Sequence, residues 1–315
     1  GVANTTISRY HNIHKLSIID SQYSTYETEI SNYLNSLNVS FKKDRTICKP
    51  KELDFLLTQQ KFAIEFDGLY IHSESGGKDQ YYHYKKTKQC EEQGIHLIHI
   101  FEDEWNNKKD ICKNIIKRCL ALPCTQYAAR QCQIRELTNA ESKDFLNQNH
   151  LQGFVSAKLT LGLFQNEQLL QIMSLGSPRY NKKSQWELLR LASLSNIVVS
   201  GGTKKLWAYF LKNYDPISVV SYCDRRWFTG QIYQNLGFVL ETISKPTYWY
   251  TDYHQRYHRS RFTKKNCIKQ ILLSPNNSYS EEELIAFTEK YLATEILSLD
   301  RIWDCGQDSW RWKKL

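Results

Sequence analysis

Hydrolysis of a phosphodiester needs a cation to neutralise the developing charge and a water made nucleophilic, so a chain equipped for it offers carboxylates converging from neighbouring strands. The stretch from Glu27 to Lys86 has such carboxylates. Asp54 lies in the apolar run Leu53-Asp54-Phe55-Leu56-Leu57, and Glu65 and Asp67 alternate with Ile64 and Phe66 in a second run that begins at Phe62. Alternation puts Ala63, Glu65 and Asp67 on one face of a strand, and a hairpin between the two runs would bring Asp54 and Glu65 to one Mg2+ (or Mn2+). Gly68 permits a tight turn, and His72, four residues on, is placed to take a proton from water or give one to a leaving oxygen. His83 and Lys86, three apart, share a helix face that could meet a scissile phosphate. Taken singly, each of these groups reads more readily as a solvated surface residue. Their clustering on an otherwise apolar strand favours the chemical reading.

The elements that must position them follow from periodicity. Ser24-Thr25-Tyr26-Glu27 puts a hydroxyl three residues before a carboxylate, and Ile30, Tyr33, Leu34 and Leu37 share a face, predicting a capped amphipathic helix. The two apolar runs, joined by the polar turn Thr58-Gln59-Gln60-Lys61, predict a hairpin. A lysine-rich helix from Gln80 to Gln93 ends at Gly94, a strand runs from Ile95 to Phe101, and a helix from Lys108 to Leu120 closes the unit. Glu102, Asp103 and Glu104 follow that strand and read as a cap for the next helix rather than as metal ligands. This predicts one α/β domain over 21–122, with 1–20 a solvated helical linker or part of a helix-turn-helix. Beyond a linker around Pro123, strand patterns at Leu159–Phe164, Leu169–Ser174 and Trp186–Leu191 open a second unit over 133–270. Gly201-Gly202 precedes a helix from Thr203 to Asn213, a strand from Ile217 to Cys223 follows, and 271–315 reads as a helical tail.

At 315 residues the chain is long enough for two compact units. Its hydrophobic fraction of 41% is ordinary for a globular protein. No apolar run approaches the ~18 residues needed to cross a bilayer. A membrane is therefore not expected as partner, and with no secretory pattern at the start the expected location is cytoplasmic. Nine cysteines scattered singly imply reduced thiols rather than a disulfide framework or a zinc motif. The formal charge of +9 favours a polyanionic partner, because lysine and arginine displace counterions from phosphates. The expected partner is double-stranded DNA; oligomeric state is left open, a dimer included.

The ordered blocks Glu52-Leu53-Asp54, Ile64-Glu65-Phe66-Asp67-Gly68, His72, Tyr82-His83 and Ile100-Phe101-Glu102-Asp103-Glu104-Trp105 resemble phage homing endonucleases of the very-short-patch-repair (Vsr) type, within the PD-(D/E)xK nuclease superfamily. The resemblance implies a restriction-endonuclease-like α/β/α core and Mg2+-dependent cleavage of DNA. It makes Asp54 the principal metal ligand, His72 the histidine that assists water attack, and Glu27 a carboxylate from the first helix. In the repair enzymes the second metal contact is a backbone carbonyl, which falls near Phe66, with Glu65 beside it. His83 stands where those enzymes have an acidic residue and Asp67 where the superfamily has its lysine, so Lys86 or His72 takes that role. Their structural zinc cysteines are absent, which argues against a mismatch-repair enzyme.

Residues 154–240 resemble the acetyltransferase (GNAT) fold in their strands, the Gly-Gly loop opening a helix, and the short helix ending in Leu236-Gly237-Phe238. In that family backbone N–H groups at the loop hold a cofactor pyrophosphate. Here Ser200-Gly201-Gly202-Thr203 lacks the Q/R-x-x-G-x-G/A spacing, and the same nitrogens with Lys204 and Lys205 could grip a DNA phosphate instead. Arg225 and Arg226 beside Trp227, and Arg256, Arg259, Arg261, Lys264 and Lys265 downstream of Tyr248-Trp249-Tyr250, interleave cations with rings as a DNA-binding surface would. The fold class expected is thus α/β, a restriction-endonuclease-like core followed by a GNAT-like α+β domain. The function expected is a site-specific endonuclease. The alternative is a DNA-base-modifying GNAT-like transferase with an accessory nuclease domain.

Overall fold

The computed structural model describes residues 25–314. The linker or helix-turn-helix expected over 1–20 lies outside them. Two compact units share the chain: 25–103 with Pro246–Cys305, and Glu104–Lys245 with 306–314.

The first unit opens with helix α1 (25–36), then strands β1 (Lys42–Asp44), β2 (Leu53–Leu57) and β3 (Phe62–Asp67), helix α2 (Tyr82–Glu91) and strand β4 (His96–Phe101). The hairpin forms as its alternation predicts: β2 and β3 are antiparallel, with Phe55 opposite Ile64, and Lys61 supplies a left-handed residue (φ 49°) to the turn. β3 and β4 are parallel, a pairing that needs a crossover, and α2 provides it. The four strands lie in the order β1-β2-β3-β4. Gly94 ends α2 with φ 69°, a conformation costly for any residue with a Cβ. Every residue of β2 and β3 is buried, which is why both read as apolar runs and why any charge they carry is held away from water.

Helix α3 (Glu102–Cys119) follows, with Lys108 out of helical geometry (φ −139°, ψ 32°). The second unit then contributes β5 (Thr125–Ala128), β6 (Gln133–Leu137), α4 (Asn139–Asn149), β7 (Leu159–Gln165), β8 (Gln168–Gly176), β9 (Trp186–Ser193), β10 (Ile197–Ser200), α5 (Gly202–Tyr214), β11 (Ser218–Asp224), α6 (Gln231–Asn235) and β12 (Val239–Ile243). From Pro246 the chain rejoins the first unit with β13 (Tyr248–Thr251), β14 (Arg256–His258), α7 (Lys264–Leu272) and β15 (Asp300–Trp303). It then returns to the second with β16 (Gln307–Lys313).

The second unit is built on a seven-stranded sheet in the order β6-β7-β8-β9-β11-β16-β12. All its neighbours are antiparallel except β9 and β11. Leu161, Leu163, Met173, Leu206, Trp207, Phe210 and Trp310 fill its core. Two expectations on organisation are corrected. The border falls near residue 103 rather than in the segment around Pro123, because Pro246–Cys305 packs with the first unit. The tail expected to be helical holds short helices at Glu281–Ala286 and Glu289–Tyr291 but ends in two strands: Asp308, Trp310 and Trp312 alternate along β16, and both tryptophans join the apolar core.

Candidate functional site

In the first unit a buried polar cluster forms where β2, β3, β4, α2 and the turn after β3 meet. Glu65 and Asp67 leave β3 on one face, and parallel pairing sets Glu65 opposite His99. The turn is held by the His72 N–H donating to the Gly68 carbonyl at 3.0 Å. It brings His72 Nδ1 to 2.8 Å from Asp67 Oδ1 and 2.9 Å from His83 Nε2. His83 Nε2 lies 3.5 Å from the same Asp67 oxygen, and His99 Nδ1 is hydrogen-bonded to Asp67 Oδ2 at 3.0 Å. Thr87 on α2 reaches His99 Nε2 at 3.0 Å. Lys86, one turn beyond His83, pairs with Glu65 Oε1. Asp54 Oδ2 accepts the Phe66 N–H at 2.9 Å.

Burial dominates the electrostatics. It pushes the Asp54 carboxyl up to about 6 against the stabilising Phe66 N–H. The Glu65 carboxyl is raised well above the carboxylate range by burial and by neighbouring Asp54. The same desolvation takes His72 down to about 4, although Asp67 opposes it, so the imidazole is neutral at pH 7. His99 is lowered for the same reason. Asp67 resists burial: His72, His83 and His99 together hold it well below the usual range. Lys86, despite burial, stays cationic through Glu65.

The structure therefore gathers most of the residues expected around one cation, with two corrections. Asp54, Glu65, His72, His83 and Lys86 are 7%, 2%, 3%, 0% and 1% exposed, so the face that a duplex phosphodiester would have to reach is closed. Two of the expected ligands are also engaged within the protein: Asp54 accepts the Phe66 N–H, and Glu65 is held by Lys86. Glu27 on α1 pairs with Lys43 at 2.9 Å. Asp67, placed on the shared face but not among the expected ligands, and His99 are the members that the structure adds. A histidine flanked by Ile98 and Ile100 in an apolar strand was the available signal, since such a residue is buried and needs a partner.

The second unit presents a different arrangement. β9 and β11 pair only through Val219–Trp186, Val220–Glu187 and Ser221–Leu188, and beyond these residues the strands part. At the fork, Ser221 Oγ lies 2.9 Å from the Leu188 carbonyl and 3.0 Å from Tyr233 Oη, which α6 carries in. Burial pushes the Tyr233 phenol up, so it keeps its proton. Arg190 donates to the carbonyls of Gly153 at 2.9 Å and Leu189 at 2.8 Å, and burial lowers it to about 10. Gly201 precedes α5 in the left-handed region (φ 76°), and no side chain caps the helix. A Cβ on Gly202 would stand 2.4 Å from Gln171 Oε1 and 3.0 Å from Val199 Cβ, so a larger residue there would have to displace the Gln171 side chain.

Several cations expected at a DNA surface lie elsewhere. Lys205 donates to the carbonyls of Ala129 and Cys132 at 2.9 and 2.5 Å. Arg226 is buried against Glu104, with both contacts at 3.1 Å, and Asp224 at 2.8 Å, while Arg225 lies 3.4 Å from Asp308. Arg256 pairs with Asp103 at 2.8 Å and lies over the Phe101 ring. Lys264 donates to the Ile285 carbonyl. Lys204, Arg259, Arg261 and Lys265 remain exposed. A run of cations in sequence does not separate solvated ones from those neutralised inside, because the partners Glu104, Asp103 and Asp308 are distant in the chain.

No protein-family profile matches the chain, and no curated protein does. Among solved structures it is similar to an IAA acetyltransferase from Bacillus cereus ATCC 14579, at 14% identity and a TM-score of 0.33, over 58% of this chain and 99% of that one. It is also similar to an acetyltransferase of Bacillus subtilis in complex with CoA, at 12% identity and a TM-score of 0.32, over 59% and 99%. The expected hydrolase, a DNA endonuclease dependent on Mg2+ (or Mn2+), is corrected: the matched structures are acetyltransferases, one holding CoA, and the closed carboxylate cluster is the physical counterpart of that correction. Among the described residues no helix is long and apolar enough to cross a membrane.

Proposed function

We propose that the chain is a GNAT-like group transferase that modifies double-stranded DNA. The observation that carries the reading is the fork between β9 and β11, with the Tyr233 hydroxyl beside the last paired residue, Ser221. Where two parallel strands part inside a sheet, their facing backbone groups lose each other as partners and can serve a ligand. Coenzyme A, which the fold implies, fits the chain at α5: the first N–H groups of an uncapped helix have no acceptor of their own, Gly201 removes side-chain bulk, and Lys204 is exposed. When bound, it supplies an acyl group activated as a thioester. Tyr233 holds a proton at the fork: its oxygen accepts from Ser221 at 3.0 Å, and its hydroxyl faces the Tyr222 carbonyl at 3.5 Å. The formal charge of +9 and the exposed Arg259, Arg261 and Lys265 support a polyanionic acceptor.

The test is to incubate the full chain with acetyl-CoA and duplex DNA, then digest the DNA and weigh its nucleosides by mass spectrometry. An acetylated nucleoside is expected, with Tyr233→Phe slowing its formation by roughly 100-fold, the lower range for loss of a general acid. Unmodified DNA together with no release of free CoA would overturn the reading.

A further inference from the structure

Three ligand-type atoms of the first unit converge in its interior, and the hydrogen bond between His72 and His83 accounts for only one side of the group. Asp67 Oδ1, His72 Nδ1 and His83 Nε2 form a triangle with sides of 2.8, 2.9 and 3.5 Å. Yet Asp67 Oδ1, fully buried, accepts no aligned hydrogen bond among the described residues. His83 Nδ1 and Glu65 Oε2, also buried, have no hydrogen-bond partner either. Lone pairs that face one another in a dry interior repel unless a proton or a cation lies between them, and a single cation can serve all three atoms at once.

The dimensions suit one. An ion bonded at 2.0–2.1 Å to tetrahedral ligands sets those ligands about 3.4 Å apart, so the two short sides of the triangle need to open by about half an ångström. His99 extends the set, since one ligand atom from each of Asp67, His83 and His99 lies within 4.8 Å of the others. His99 is itself oriented by Thr87, the kind of outer contact that fixes an imidazole beside a metal. Imidazole nitrogens suit zinc and its neighbours, whereas magnesium takes oxygen ligands and keeps its water, which a closed cluster cannot supply.

We propose that Asp67, His72 and His83, with His99 beside them, bind one zinc-type dication that ties β3, the turn after it and α2 together. This site differs from the one expected around Asp54, Glu65 and Phe66 in both ligands and ion.

Titration of the full chain, purified with chelator and then freed of it, with Co2+ and Zn2+ tests this. A single equivalent of Co2+ is expected to bind, with the visible absorption of a four-coordinate site, and Zn2+ should displace it and raise Tm. His83→Gln should weaken binding by at least about 10-fold, while Asp54→Asn should leave the spectrum in place. The proposal fails if the unsubstituted chain gives no visible Co2+ absorption and no Zn2+-dependent rise in Tm. It fails equally if Asp54→Asn abolishes the spectrum and His83→Gln does not.

Discussion

The interiors of the two units are stabilised differently. Under the seven-stranded sheet the second unit packs leucines and rings around Trp207 and Phe210, and a buried cation such as Arg226 is met by two carboxylates in direct hydrogen bonds. Beside the four-stranded sheet the first unit buries three carboxylates, three imidazoles and a lysine in one cluster. Packing like that of the second unit stabilises by removing apolar surface from water, at about 25 cal/mol per Å². A cluster like that of the first contributes little net stability, because desolvation consumes most of the mutual attraction. Polar groups kept inside at such a cost mark where a protein binds something.

The comparison breaks most visibly at Lys86. Lys86→Met leaves Glu65 buried without its cation, and a loss of about 3–5 kcal/mol is expected in denaturant unfolding. Glu65→Gln added to it should recover a large part. If the single substitution costs no more than a surface change, the first unit does not depend on the pair. In the second unit the sharpest single change is Gly230→Ala. Gly230 has φ 75°, and a Cβ there would stand 2.4 Å from the Trp310 ring. Backbone strain and overpacking together should cost about 2–4 kcal/mol, read as a fall in Tm with the fold retained.

The smallest effect carries the opposite sign. Asp54 holds its proton up to about pH 6 in the folded chain, while its ordinary value is 3.8. The folded state therefore carries the extra proton between about pH 4 and 6, and stability falls as pH rises through that window. Asp54→Asn, whose amide oxygen can still accept from the Phe66 N–H, removes the penalty. Unfolding at pH 7.5 should show a gain of at most about 3 kcal/mol, and at pH 3.5 almost none. A variant less stable than the parent at both pH values would mean that Asp54 is held by more than burial and its Phe66 contact. His72, lowered to about 4, works in the other direction, since its neutral form is favoured inside and stability rises from about pH 4 to 6.5. Removing Asp54 should expose that slope.

What could be read in advance follows from how local the signal was. The hairpin of β2 and β3 was legible, because apolar alternation and a polar turn lie within a few residues of each other, and its bounds agree almost to the residue. So was the presence of Asp54, Glu65, His72, His83 and Lys86 in one region. Their enclosure was not, because it depends on α2 and β4 arriving over the same face, and neither sequence segment announces that. The hub role of Asp67 was likewise hidden, since it needs His72, His83 and His99 at once. Arg226 and Arg256 were misplaced for a related reason: Glu104 and Asp103, which meet them, each lie more than 100 positions away. The return of Pro246–Cys305 to the first unit left no compositional mark, whereas the Trp310 and Trp312 alternation of β16 was there to be used.

Strand β16 occupies a central place, hydrogen-bonded to β11 on one side and β12 on the other, although it is made only after the whole Pro246–Cys305 excursion. During synthesis two ladders must therefore wait open until Gln307–Lys313 emerges, offering unpaired backbone to any neighbouring nascent chain. Deleting those seven residues would not trim a border. It would split the sheet in two and create a pair of sticky margins in its place.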